Sequence, residues 1–315
     1  MTLKFMARRV AVGVVILCAV CLITYALLYL RPPTSIAQNL LGPDANESEV
    51  AAKVRELGLD RPFLVQFRDW VVHAITGDLG ASYGSSQPVI GIMSTRLPIT
   101  LSLVTGGLLV VGTASVAVGV IAATRGGAID RALQVFSIAA AALPNYWVAL
   151  VLVVVFALNL SLFPATGFVP PDQGVGRWLA SITLPVVAIA VGGIANVAQQ
   201  VRGAMLGELR QDYIRTLRSR GISERAIVYR HALRNAASAG LTVLSLQVIG
   251  LLGGVVIIER VFALPGLGTL LVDAGSAGDV PIVMGVVAFM VLVVVVVNTL
   301  VDLLNGLLDP KARVS

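Results

Sequence analysis

An all-α integral membrane protein with six transmembrane helices and both termini cytoplasmic is the fold class this chain predicts. Three observations carry that reading. Hydrophobic residues fill 57% of the 315 positions and charged residues only 13%, about half the charged share of a soluble domain. Six apolar runs are long enough to cross a bilayer. The basic residues, finally, are concentrated in alternate segments between those runs.

Residues 1–9 carry Lys4, Arg8 and Arg9 and no acid, and 10–30 follow as one apolar run. A signal peptide shares that charged start, but its core is about 7–15 residues and ends at a small-residue cleavage site. Here the run ends at Arg31-Pro32-Pro33, so it reads as a retained first span. Cys18 and Cys21 form a C-x-x-C inside it. No strand or charged neighbour is there to activate a thiolate, and the pair reads as apolar filling.

Residues 31–98 are polar and mixed in charge. Val50, Val54 and Leu57 line one face of a short helix that Gly58 ends. Pro62 begins another, with Leu64, Phe67 and Val71 on one side, until Gly77-Asp78 stops it. The second span covers 99–123, and Arg125, Asp130 and Arg131 make a short inner loop. The third, 133–160, contains Pro144-Asn145. A mid-span proline frees a backbone carbonyl, which predicts a kink towards the protein interior. A Pro/Gly-rich loop at 161–179 carries Trp178, a residue suited to the membrane interface. Spans four, five and six cover 180–201, 240–258 and 282–304, separated by segments 202–239 and 259–281.

Six spans place both ends on one side, and arginine and lysine decide which. Segments 1–9, 124–132, 202–239 and the tail hold three, two, eight and two of them. The opposite short loops hold only Arg177 and Arg260, while the long segment 31–98 holds six. Long translocated segments obey the charge rule weakly. The termini and 202–239 are therefore cytoplasmic. The net charge of +6 belongs to this orientation signal and does not point to a nucleic acid.

Segment 202–239 is the most polar part of the chain. Arg215, Arg218, Arg220, Arg225, Arg230 and Arg234 alternate with Tyr213, Ile214, Leu217, Ile222, Ala226 and Ile227 at helical spacing. Gly221 interrupts the pattern and Ser223 stands where it caps a second helix. Tyr213-Ile214-Arg215-Thr216, Gly221 and Arg230-His231-Ala232-Leu233-Arg234-Asn235 together resemble the coupling loop of binding-protein-dependent ABC importer permeases, in the oligopeptide/dipeptide/nickel class. The Glu-Ala-Ala start of the family motif is replaced here by Arg215-Thr216-Leu217, while its glycine stands as Gly221. Segment 259–281 adds Glu259-Arg260-Val261-Phe262-Ala263-Leu264-Pro265-Gly266-Leu267-Gly268 and Asp279-Val280-Pro281. It is similar to the external loop before the last span in the same permeases. Pro265-Gly266 requires a turn, and Gly268 allows close backbone approach. Leu57-Gly58-Leu59-Asp60-Arg61-Pro62, Gly77-Asp78-Leu79-Gly80 and Arg96-Leu97-Pro98 are similar to the family's external region. Its usual Pro-Gly-Asp is replaced by Pro32-Pro33-Thr34.

The resemblance covers nearly the whole chain and implies the type I ABC importer transmembrane-domain fold, in the first of two permease subunits. It divides the chain into 1–30 (start and first span), 31–98 (extracytoplasmic) and 99–315 (permease core). It also implies a plasma-membrane importer of peptides. An external binding protein would deliver substrate, a second homologous permease would complete the bundle, and two ATP-binding subunits or one fused ATPase would bind ATP and Mg. This chain itself would hold no cofactor. Tyr213, Arg215, Thr216, Leu217, Arg218, Gly221, Ser223, Arg225, Arg230 and His231 would meet the ATPase, apolar side chains filling its groove and arginines pairing with its acidic rim. Glu259, Pro265, Gly266 and Gly268 would belong to the extracytoplasmic loop, part of which dips into the translocation path. The same scaffold also serves nickel, haem and glutathione.

The chain carries no catalytic signature. None of its three lysines follows a glycine, as a phosphate-binding loop demands. His73 and His231, the only histidines, fall on opposite sides of the membrane and cannot share a metal. Asp302 lies near a span end and reads as an interfacial residue rather than an intramembrane catalyst. An ion-coupled carrier tends to show inverted repeats and buried mid-span charges, and neither is evident. A membrane scaffold has no need of the helix–Gly–helix insert. Polar residues within spans are Asn145, Asn196, Gln199, Gln200, Gln247 and Asn298. They either line a path for peptide amides or glue helices together at about 0.6–2 kcal/mol each. Gly250 and Gly254 form a G-x-x-x-G that permits close packing.

Overall fold

A computed structural model describes residues 3–308, with side-chain surroundings for 7–304 apart from 141. Among these the chain is helical, with one isolated bridge between Ala81 and Pro88. Five helices are long and apolar enough to cross a membrane, six if one bent pair counts as a single span. The tail motif from Asp309 lies outside the described residues.

Helix α1, Leu3–Tyr29, contains the first apolar run. The chain then makes three short helices where two are predicted. The first, α2, Pro33–Leu41, has its proline in the first turn, where the missing N–H costs nothing. Helix α3, Glu47–Glu56, starts on a capping box: Asn46 accepts from the Glu49 amide while Glu49 accepts from the Asn46 amide. Val50 is buried as predicted. Helix α4, Phe63–Ile75, follows Pro62, but its packed face is turned from the predicted one. Phe63, Phe67 and Trp70 pack inward, and Leu64 is 72% exposed.

Helix α5, Val89–Arg125, starts ten residues before the predicted second span and passes through Pro98. Its early turns are held by tertiary contacts, with Val89 and Met93 buried against Leu267, Leu270 and Ile282; such packing outweighs one lost helical bond. After Gly126 and Gly127, both in the left-handed region at φ +62° and +59°, α6 covers Gly127–Ala142. The predicted kink is a full break. Helix α7, Asn145–Leu152, leaves at 103° to α6 and continues as a π-helical turn, Val153–Asn159.

Helix α8, Val175–Leu209, is the most buried span. Helix α9 is Asp212–Ser219 and α10 is Glu224–Ala226. A π turn, Ile227–Ala232, leads straight into α11, Leu233–Val261. Helices α12, Leu267–Ala277, and α13, Val280–Leu308, complete the chain.

The contacts divide the chain into two units. The larger comprises Leu101–Leu264 and the described residues from 296 on. Its core lies between α5, α8 and α11, where Val111, Val197, Val201, Met205 and Ala236 are buried together. Glycines allow the close approach. A Cβ on Gly119 would lie 2.8 Å from the Ala198 carbonyl oxygen, and one on Gly106 2.9 Å from Val186.

The smaller unit comprises the described part of 2–100 and Pro265–Val295. Here α12 is held at both ends. The Leu267 amide donates to Thr100 Oγ1 at 2.8 Å, and Arg31 donates to the Gly275 and Ser276 carbonyls at 2.7 and 3.1 Å. A guanidinium at a helix C-terminus also complements the helix dipole. Gly278, left-handed at φ +81°, closes α12. Asp279, 4% exposed, then accepts the Ser82 hydroxyl at 2.5 Å.

Candidate functional site

The insert between α8 and α11 begins with α8 running beyond the apolar stretch to Leu209. Helix α9 is amphipathic, and its apolar side turns inward: Ile214 is fully buried and Leu217 packs beside it. The backbone reverses at Gly221, in the left-handed region at φ +75°, where the Ile222 amide reaches back to the Leu217 carbonyl at 3.2 Å. Ser223 Oγ then accepts from the Ala226 amide at 3.4 Å, the predicted cap. Ile227 and Ala232 are fully buried against the C-terminal end of α8.

Polar contacts brace the same geometry. Tyr213 Oη donates to Glu208 at 2.7 Å, and Asn235 Nδ2 donates to Tyr213 Oη at 3.1 Å, which links α8, α9 and α11. Burial and the Glu208 bond raise the Tyr213 phenol above its ordinary value. Across the Gly221 turn, Arg218 Nε donates to Glu224 at 2.6 Å and holds that carboxyl below its ordinary value. Arg202 makes two hydrogen bonds to Asp130, tying the first turn of α6 to α8.

Ile214 and Ile227 are fully buried in the chain's own core, while Leu217 and Ile222 pack against it half-buried. The surface the insert presents is mostly polar: Arg215, Thr216, Arg218, Arg220, Ser223, Arg225 and Arg230 are exposed, with Tyr229 at 60%, Tyr213 at 37% and His231 half-buried. The second arm differs from the predicted separate helix, because α10, the π turn and α11 form one continuous rod.

The predicted path residues all fall in the larger unit. Asn196 and Gln200 are exposed on one side of α8, with Gln199 half-buried beside them. Asn145, at the start of α7, lies in a notch floored by glycine: a Cβ on Gly192 would meet its Oδ1 at 3.7 Å, and one on Gly254 its Nδ2 at 3.3 Å. Gln247 fills a second notch, 3.0 Å from the Cβ position of Gly193. Asn298 Oδ1 is buried without a partner. No hydrogen bond to any of these six amide side chains occurs among the described residues.

In the 259–281 segment, Glu259 is fully buried near the end of α11. The turn uses Ala263, at φ +49°, as its left-handed residue. Gly266 is extended and caps α12, and the Leu270 amide donates to its carbonyl at 3.2 Å. The predicted turn at Pro265-Gly266 is thus displaced towards the end of α11. Gly268 is buried within the first turn of α12.

Sequence reasoning passed over Glu208, Asp130 and Arg202 as partners. Residues 72 positions apart give no pairing signal on their own. The contact between Arg31 and the end of α12 was equally hidden, because it joins residues 244 apart.

The model of the family described as "binding-protein-dependent transport system inner membrane component" matches residues 115–314. The model for the N-terminal part of such membrane components matches 2–104. A putative peptide transport system permease protein of Brucella abortus is 38% identical over 308 residues, covering 97% of this chain and 98% of its own. A probable peptide ABC transporter permease of Sinorhizobium fredii is 37% identical over 98% of this chain and 99% of its own. The di/tripeptide transport system permease DppB of Pseudomonas aeruginosa is 34% identical, covering 99% of each.

Proposed function

The chain belongs to the family of binding-protein-dependent transport system inner membrane components, and from that premise we propose that it is a permease subunit of an ATP-driven peptide importer. It is a multi-pass plasma-membrane protein. The near full-length likeness to peptide permeases carries the assignment of cargo.

In this reading the bent pair α6–α7 is the third of six spans, and both termini and the insert are cytoplasmic. An external binding protein delivers peptide, a second homologous permease completes the path, and two ATPase subunits or one fused ATPase hold ATP and Mg. Segment 31–98 is extracytoplasmic. The insert is the ATPase contact. Its core-facing isoleucines fix its shape, and its exposed Arg215, Thr216, Arg218, Arg220 and Arg225 make a cationic face for an acidic rim. The unpartnered amides of Asn145, Asn196, Gln199, Gln200, Gln247 and Asn298 offer hydrogen bonds to a peptide that has shed its water.

Reversing two of the exposed charges tests the contact. Arg215→Glu with Arg220→Glu is expected to lower co-purification of the ATPase at least several-fold, with the deficit largest at low salt because rim charges are screened. Unchanged recovery would sink the cationic-face reading. The cargo is tested by uptake into proteoliposomes holding the complete assembly, offered defined di- to octapeptides, glutathione, haem and nickel separately. ATP-dependent accumulation of peptides is the expected result. Accumulation driven by an ion gradient without ATP would replace the importer by a carrier.

A further inference from the structure

The exposed side of α4 is too apolar for a helix in water, and its position says what covers it. At 3.6 residues per turn, Phe63, Phe67, Trp70 and Ala74 share the side that packs inward. A neighbouring stripe holds Leu64, Val72 and Ile75, which are 72%, 53% and 81% exposed, with Val65 at its border. The remaining strip carries Gln66, Asp69 and His73, whose polar groups are already engaged. Gln66 Oε1 accepts the Tyr25 hydroxyl at 3.0 Å, Asp69 pairs with Arg61, and His73 Nδ1 lies 2.7 Å from the Asp69 carbonyl.

Helix α4 packs on the last turns of α1. The Phe63 ring lies 5.4 Å from Tyr29 and 5.7 Å from Tyr25, and Phe67 lies 5.6 Å from Tyr25. Those tyrosines fall inside the apolar run that ends at Leu30. That same stretch of α1 exposes Ile23, Leu27 and Leu30, at 60%, 63% and 78%. Helix α4 therefore lies at the depth where the apolar run of α1 ends, against its Tyr25 and Tyr29 side and opposite Ile23, Leu27 and Leu30. Its one cation, Arg68, is spaced with Leu64 and Val72 and has a stem long enough to reach a headgroup phosphate.

We propose that α4 is an interfacial helix, with the Leu64–Val72–Ile75 stripe embedded among phospholipid chains of the leaflet in which α1 ends. Arg68 reaches the phosphates, and the Gln66–Asp69–His73 strip borders water. The inference requires only that α1 crosses the bilayer, so it stands apart from what the importer carries.

Photo-crosslinking in the assembled complex, held in phospholipid nanodiscs, tests it. Benzoylphenylalanine replacing Ile75, and separately Leu64, is expected to give phospholipid adducts by mass spectrometry, with far fewer from the same probe at His73. In parallel, Ile75→Cys should react at least tenfold slower than Glu56→Cys with a membrane-impermeant maleimide. Crosslinks from position 75 or 64 to a second permease or to the binding protein would overturn the proposal. So would maleimide labelling of Ile75→Cys as fast as that of Glu56→Cys.

Discussion

Gly221→Val is expected to leave the protein in the membrane and its spans folded, yet to abolish substrate-stimulated ATP turnover of the reconstituted complex. Nothing lies within 4 Å of the position a Cβ would take there, so a side chain meets no clash. The penalty comes from the backbone. At φ +75° a β-branched residue is strained by about 1–3 kcal/mol. The chain escapes that strain by opening the turn between α9 and α10. Each 1.4 kcal/mol is about tenfold in population, so the competent turn falls by about 5- to 140-fold. Asparagine tolerates the left-handed region far better than valine. Gly221→Asn should therefore keep most of the stimulated turnover, which separates a conformational effect from mere loss of a glycine. Equal turnover in the valine variant and the native protein would remove the insert from the coupling mechanism.

A second large effect is expected at Gly119, through packing. Alanine in place of a mid-helix glycine ordinarily gains up to about 1 kcal/mol from helix propensity. Here the new Cβ would stand 2.8 Å from the Ala198 carbonyl oxygen and 2.9 Å from Val201. A backbone atom of the most buried span cannot swing aside, so α5 and α8 must separate. Overpacking of this kind costs about 1–3 kcal/mol, which exceeds the propensity gain. Gly119→Ala should lower the thermal midpoint of the purified complex, and Gly119→Val should prevent its recovery. Gly203→Ala is the control. It lies on α8 in helical backbone with nothing within 4 Å and should be neutral or mildly stabilising. A Gly119→Ala midpoint at or above that of the native protein would mean the two helices are less tightly apposed than described.

The all-helical membrane class was legible because lipid imposes so strict a rule on composition: apolar runs reveal candidate spans before any packing is known. Gly221 and Ser223 were legible for a related reason, since turn and cap chemistry is local. The missed features are those decided by tertiary contact. Periodicity offered Leu64, Phe67 and Val71 as one face of α4, but aromatic packing on Tyr25 and Tyr29 selected Phe63 and Phe67 instead. The second span was read as beginning at 99, yet burial of Val89 and Met93 starts α5 ten residues earlier and carries it through Pro98. Pro144 looked like a kink and is a break. The apolar positions of the insert were read as an offering to a partner. Only the contacts with α8 reveal that Ile214 and Ile227 are buried in the chain's own core.

The unbroken passage from Glu224 to Val261 has a mechanical corollary. Thirty-eight residues of helix measure about 57 Å, nearly twice the hydrocarbon thickness of about 30 Å, and the π turn at Ile227–Ala232 lies near the start of that shaft. In the importer proposed above, a torque applied beside Ser223 would pass along continuous helix towards the Gln247 notch, with Gly221 as the swivel on its other side.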